Sequence, residues 1–260
     1  MKIIGGNWKF NKELRNLKKA EKFIEKLEEK LKDIKNTKVS IFCHFWVLRE
    51  LSKKAKRVKI GAQDIHWEED GSFTGAQPSA KDLKKAKIKE VLIGHSETRF
   101  YFGVSDEKVA LKLKSAFKEK LFPIICIGED IEEKEKGKTK EVLKKQIEKG
   151  IFPALKKDSK FLIAYEPIYA ISGFAKLRGK KPKPAKIEDI KLAHNFIKEI
   201  FLKKGFKVKV LYGGSSNPEN AKELLSQDFI DGLLIGRASW NFNSFFKIIK
   251  IANEISKWKS

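Results

Sequence analysis

Eight short apolar runs separated by charged stretches of helical spacing predict an α/β protein folded as a single (β/α)8 barrel. The runs occupy residues 2–7, 38–43, 59–63, 90–94, 122–127, 161–166, 207–212 and 232–236. Strand–helix alternation implies a parallel sheet with crossover helices. A chain of 260 residues with eight such units has the size of one barrel of this kind. A doubly wound open sheet is the competing architecture, but its phosphate signature is missing: Gly5-Gly6-Asn7 is no G-x-G-x-x-G, and no P-loop occurs.

In chain order, the first run ends on Asn7-Trp8-Lys9, and Leu14, Leu17, Phe23, Ile24, Leu27 and Leu31 then mark one face of a helix over 14–31. The second and fifth runs contain the two cysteines, Cys43 and Cys126. The fourth ends on Gly94-His95-Ser96-Glu97, and helical spacing follows over 108–119 and 139–151. The sixth ends on Glu166 before Pro167, which biases the preceding residue toward extended backbone and donates no ladder hydrogen bond. A loop with an apolar tip comes next, then a basic, Pro-bearing insertion over 176–184, too short for a domain linker, and a helix over 187–203. The seventh run ends on Tyr212-Gly213-Gly214-Ser215, and Asn217-Pro218 reads as the start of a helix over 220–225. The last run ends on Gly236-Arg237-Ala238-Ser239, before a final helix over 243–255.

The apolar fraction of 41% fits a soluble globular protein, and no run approaches the roughly 18–20 residues of a membrane span. The N-terminal residues lack the apolar core of a signal peptide, so a cytoplasmic protein with two buried free thiols is expected. Neither cysteine has metal-ligand spacing around it, and no metal is expected. The net charge of +23 comes from 57 basic against 34 acidic residues, and only six of the basic residues are Arg. Lysines scattered through every predicted helix suit a solvated surface better than a nucleic-acid site, which tends to gather Arg and aromatics on one face. The charge draws anionic substrates inward and permits only weak, salt-sensitive contact with nucleic acid.

Functional residues of such barrels gather at the C-terminal strand ends. Lys9, His95 and Glu166 thus reach one rim from three strands, with glycine-bearing turns from the last two. Glu166 taken with its own strand alone reads equally as a general base or as an ion-paired structural carboxylate. With Lys9 and His95 beside it, the set suits proton abstraction next to a carbonyl. Glu166 would take a carbon-bound proton, His95 would donate to the carbonyl oxygen, and Lys9 would offset developing negative charge. The turns after strands seven and eight would bind a phosphate. Glu97 is open: a helix-start carboxylate paired with a basic residue such as Arg99, or a direct catalytic part. His44, His66 and His194 carry no motif and are read as structural.

Six motifs in order, Gly5-Gly6-Asn7-Trp8-Lys9-Phe10-Asn11, Gly61-Ala62-Gln63, Gly94-His95-Ser96-Glu97, Cys126-Ile127-Gly128-Glu129, Ala164-Tyr165-Glu166-Pro167 and Tyr212-Gly213-Gly214-Ser215, resemble the triosephosphate isomerase family over essentially the whole chain. The resemblance implies interconversion of dihydroxyacetone phosphate and glyceraldehyde 3-phosphate without a cofactor. It implies Asn7 and Lys9 as substrate contacts, His95 as electrophile, Glu166 as base and Glu97 in support beside Lys9. It places phosphate contacts at Ser172, Ser215, Gly236 and Arg237, and a lid over about 167–177. It also implies a homodimer through the loop bearing Phe73-Thr74-Gly75.

The chain departs from that family at Ser172 and Phe174 in the lid, at Arg237 where the second glycine of the last turn is usual, and at Ala76 where Glu is usual. Thr98 and Val104 replace an Arg and a Glu together, as loss of a structural ion pair would do. Two other readings accompany the isomerase: a barrel scaffold acting as a basic nucleic-acid or anion-binding protein, and another phosphate-binding barrel enzyme. Retention of Asn7, Lys9, His95 and Glu166 argues against the first of these.

Overall fold

Each of the eight apolar runs forms a strand, and the strands close on themselves. The computed structural model describes residues 1–75, 77–171 and 184–257. The strands are β1 (Lys2–Asn7), β2 (Thr37–Cys43), β3 (Lys59–Ala62), β4 (Glu90–Ile93), β5 (Phe122–Ile127), β6 (Leu162–Tyr165), β7 (Val210–Tyr212) and β8 (Gly232–Ile235). All neighbours pair in parallel, and β1 joins both β2 and β8, so the sheet has no edge. Strands covered on both faces bury nearly every residue, which is why they read as apolar runs rather than as alternation.

The α-helices are α1 (Leu17–Lys30), α2 (Phe45–Lys54), α3 (Ala80–Lys85), α4 (Ser96–Phe102), α5 (Asp106–Lys118), α6 (Ile131–Glu135), α7 (Thr139–Gly150), α8 (Ile187–Lys203), α9 (Ala221–Ser226) and α10 (Phe242–Lys257). Periodicity finds α1, α5, α7, α8, α9 and α10. It misses α2, although Val47, Leu48 and Leu51 give that helix a buried apolar face, and it misses α3, α4 and α6, which have seven residues or fewer, too short for an apolar stripe to show. In α3 and α6 the cap is reciprocal, with Ser79 exchanging hydrogen bonds with Asp82 and Asp130 with Glu133.

Two apolar clusters result. The larger lies between the barrel and its helices, with Ile24, Leu27, Leu51, Leu113, Ile197 and Ile248 buried in it. The smaller fills the barrel itself, around Phe42, Leu92, Ile124, Leu162, Leu211 and Leu234. A Cβ on Gly61 would lie 2.6 Å from the Phe42 ring, so the missing side chain on β3 is the space that Phe42 of β2 occupies. Both cysteines are buried free thiols. Among the described residues, no helix is long and apolar enough to cross a membrane.

Candidate active site

Three strand ends build the rim. After β1 the chain turns at Lys9, whose φ of 49° is unusual for a residue with a side chain and costs about 1–3 kcal/mol. Hydrogen bonds hold it there. The Asn7 Oδ1 accepts from the Lys9 N–H at 3.0 Å, and Gln63 Nε2 donates to the Lys9 carbonyl at 2.9 Å and to the Phe42 carbonyl at 3.1 Å. The ammonium then reaches Glu97 Oε1 at 2.7 Å. Burial works against the charged form of Glu97, but the Lys9 charge and the hydrogen bond from Lys9 outweigh it and hold the carboxyl below its ordinary range. Glu97 is therefore the partner of Lys9. Arg99 is committed elsewhere, with Nε on the Gly94 carbonyl at 2.8 Å and Nη1 on Asp106 at 2.7 Å.

After β4, Gly94 takes φ 74° and hands the chain to α4, with His95 as its N-cap. The His95 Nδ1 accepts from the Glu97 N–H at 3.1 Å. A ring nitrogen that accepts carries no proton in the neutral tautomer, so the proton sits on Nε2, which faces Glu166 Oε1 at 3.1 Å. Thr98 bonds its hydroxyl to the His95 carbonyl at 2.9 Å, and Val104 is buried, so this turn is held by local bonds at the two positions that depart from the family pair.

After β6, Glu166 is 2% exposed. Its N–H donates to the Ile127 carbonyl at 2.8 Å, and its Oε2 accepts from the Ser96 N–H at 3.0 Å. Neighbouring glycines set its place: a Cβ on Gly128 would lie 1.8 Å from the Glu166 carbonyl oxygen, and one on Gly213 2.8 Å from its Cγ. Cys126 lies beside the carboxylate; burial first, then the Glu166 charge, pushes its thiol far up, so it packs there as a neutral group.

Asn7, Lys9, His95, Glu166, Ser215, Gly236 and Arg237 line one cavity, together with Ile171, Gly213, Gly214 and Ser216. The space is narrow, about 60 Å³, and shares Asn7, Lys9 and His95 with a neighbouring hollow of about 830 Å³ that Glu97 also lines. A Cβ on Gly236 would lie 3.2 Å from the Lys9 Cε, so the glycine leaves room for that side chain, and the Arg237 side chain is exposed at the same edge. Ser172, Phe174 and residues 176–183 of the basic insertion lie outside the described residues, as does Ala76. Two contributors escaped the sequence reading of the site. Gln63 was visible only as part of a motif, and the Ser96 amide acts through backbone, which no residue type announces. His44 and His66 accept backbone bonds from Trp46 and Glu68, and buried His194 contacts the Phe229 carbonyl at 3.0 Å.

A neutral imidazole N–H, an ammonium and a screened carboxylate around one small cavity, with small-residue turns opposite, belong to proton transfer on a small anionic carbonyl compound; the fold and the site define a (β/α)8-barrel isomerase. The family model described as triosephosphate isomerase matches residues 2–252. The triosephosphate isomerase of Fusobacterium nucleatum is 41% identical over 256 residues, spanning 96% of this chain and 98% of that protein. That of Dictyoglomus turgidum is 40% identical over 255 residues, spanning 96% and 98%. The crystal structure of triosephosphate isomerase from Bartonella henselae superimposes with a TM-score of 0.79 at 29% identity, covering 96% of this chain and 98% of that one. The chain belongs to the triosephosphate isomerase family.

Proposed function

We propose that the protein interconverts dihydroxyacetone phosphate and D-glyceraldehyde 3-phosphate through an enediolate. The observation that carries this reading is the pairing of His95 Nε2, as donor, with the Glu166 carboxylate at 3.1 Å inside a cavity that Lys9 also lines. A substrate carbonyl entering there takes over the Nε2–H, and Glu166 removes the proton from the adjacent carbon and returns it to the neighbouring one. His95 moves the proton between the two oxygens. Lys9, steadied by Glu97, lowers the energy of the enediolate charge, and Asn7 fixes the turn that aims it. The turns at Ser215 and at Gly236–Arg237 take the phosphate, together with Ser172 of the lid.

The reading extends to assembly. Phe10, Phe45, Trp46, Phe73, Tyr101 and Phe102 are large exposed apolar side chains, and most of them border the 830 Å³ hollow beside Lys9. An exposed apolar face of this kind supports a homodimer through the loop carrying Thr74. A cytoplasmic setting and no more than weak nucleic-acid contact complete the proposal. The barrel as a mainly basic binding protein gains no support from the relatives.

The test is a coupled isomerase assay on protein purified from a host lacking its own isomerase, with a phosphoglycolate-type inhibitor. Turnover that the inhibitor suppresses competitively is expected. Absence of turnover on either triose phosphate would end the proposal.

A further inference from the structure

A buried cation outside the site is linked to the catalytic rim through its neighbours. Lys112, on α5, lines neither the catalytic cavity nor the hollow beside it. Its side chain is covered, and its Nζ donates to Asp64 Oδ2 at 2.6 Å and to Gln77 Oε1 at 3.4 Å. Gln77 Nε2 donates to the same Asp64 oxygen at 2.7 Å, and Asp64 Oδ1 accepts from the Ile65 N–H at 2.9 Å. Both carboxylate oxygens are therefore engaged, one by two side chains and one by backbone. Burial works against the Lys112 ammonium and the Asp64 charge works for it, so each charge keeps its place through the other. Between β3, which ends at Ala62, and Asp64 stands Gln63 alone.

Gln63 carries the constraint to Lys9. Its Nε2 donates to the Lys9 and Phe42 carbonyls and lies 3.4 Å from Asn7 Oδ1, the atom that accepts the Lys9 N–H. A residue with a side chain keeps a φ of 49° only while its surroundings dictate it. The contact of the Lys9 ammonium with Glu97 depends on the same turn. A glutamine amide can hold that turn only if its own backbone is fixed, and β3 fixes it on one side and the Asp64 cluster on the other. We propose that Lys112 is a positioning residue for the isomerase reaction, acting through Asp64 and Gln63 to keep Lys9 aimed into the catalytic cavity. This role rests on the isomerase reading and adds to it a residue that touches no substrate.

The experiment compares the full chain with two charge-free pairs, Lys112→Met with Asp64→Leu and Lys112→Gln with Asp64→Asn. Each removes both charges, so neither is stranded, and each is assayed at a temperature where its melting curve shows it folded. Turnover is measured by the isomerase assay and phosphoglycolate affinity by calorimetry, with Lys9 present and on a Lys9→Met background. With Lys9 present, kcat/KM is expected to fall by about tenfold or more, because a misaimed group far from its cause is costly. On Lys9→Met the same pairs should change inhibitor affinity by less than about twofold, since the group they act through is gone. Folded pairs with parental kcat/KM overturn the proposal. So do equal losses in the two backgrounds, which would place the effect outside Lys9. A parent without turnover ends the isomerase reading and this role with it, whereas an active parent with unaffected pairs ends only the role of Lys112.

Discussion

Glu166 has two donors on its carboxylate and a proline behind it, so its carboxylate is held in place before any substrate arrives. Shortening it should therefore hurt the chemical step more than binding. Glu166→Asp is expected to lower kcat by about 10²-fold or more while KM changes little, because the base is withdrawn by about one methylene. Steady-state kinetics checks this, and an unchanged kcat would remove Glu166 from the mechanism. Glu97 gives a pH signature. Its folded carboxyl titrates below the ordinary value of 4.5, so its pairing with Lys9 contributes stability above that value and loses it as pH falls through the lower, folded one. In melts between about pH 3 and 6, Glu97→Gln should show a shallower acid-side fall in Tm than the parent. Equal slopes would mean that the pair contributes nothing.

Between residues and barrel, single elements depend on buried polar ties. Lys112 on α5 is 1% exposed and meets Asp64 Oδ2 at 2.6 Å, with Gln77 Nε2 on the same oxygen at 2.7 Å. This ties both ends of the segment carrying Thr74 to a helix. Removing one charge strands the other, so Lys112→Met should cost about 3–5 kcal/mol, read as a Tm lower by about 6–20 °C. Adding Asp64→Leu should recover much of the loss; a double variant as unstable as the single would place the effect in packing instead. The turn that follows β6 is tied similarly. The Ile168 N–H donates to the Glu129 carbonyl at 2.9 Å, and buried Glu129 accepts from the Tyr165 hydroxyl at 2.9 Å. Burial raises the Glu129 carboxyl above its usual range. These bonds hold the chain after Glu166 as far as Ile171.

At the scale of the molecule, the exposed aromatics beside the catalytic rim are the feature a lone barrel does not explain. Light scattering is expected to give twice the 29.9 kDa of one chain. Phe102→Lys, at a side chain 70% exposed and therefore tolerant in the monomer, should shift the mass toward one chain and lower turnover together. A parent protein of single-chain mass would refute the assembly.

Strands β1 and β5 match their apolar runs residue for residue, and α8 matches its stripe, because burial on both faces or on one face writes a pattern directly into composition. The order of strand ends likewise brought Lys9, His95 and Glu166 to one rim, since closure of a parallel barrel leaves them no other place. What the pattern left open was decided by contact across the fold. Arg99 and Lys9 were both available to Glu97, and only the turn at Gly94 and the left-handed turn at Lys9 settled which cation arrives. The Ser96 amide and the glycine clearances around Glu166 are likewise relations between strands distant in sequence. Local residue type therefore determined the elements and their order, while tertiary structure decided the partners, because hydrogen bonds and close packing act over a few ångströms that only the closed barrel brings about.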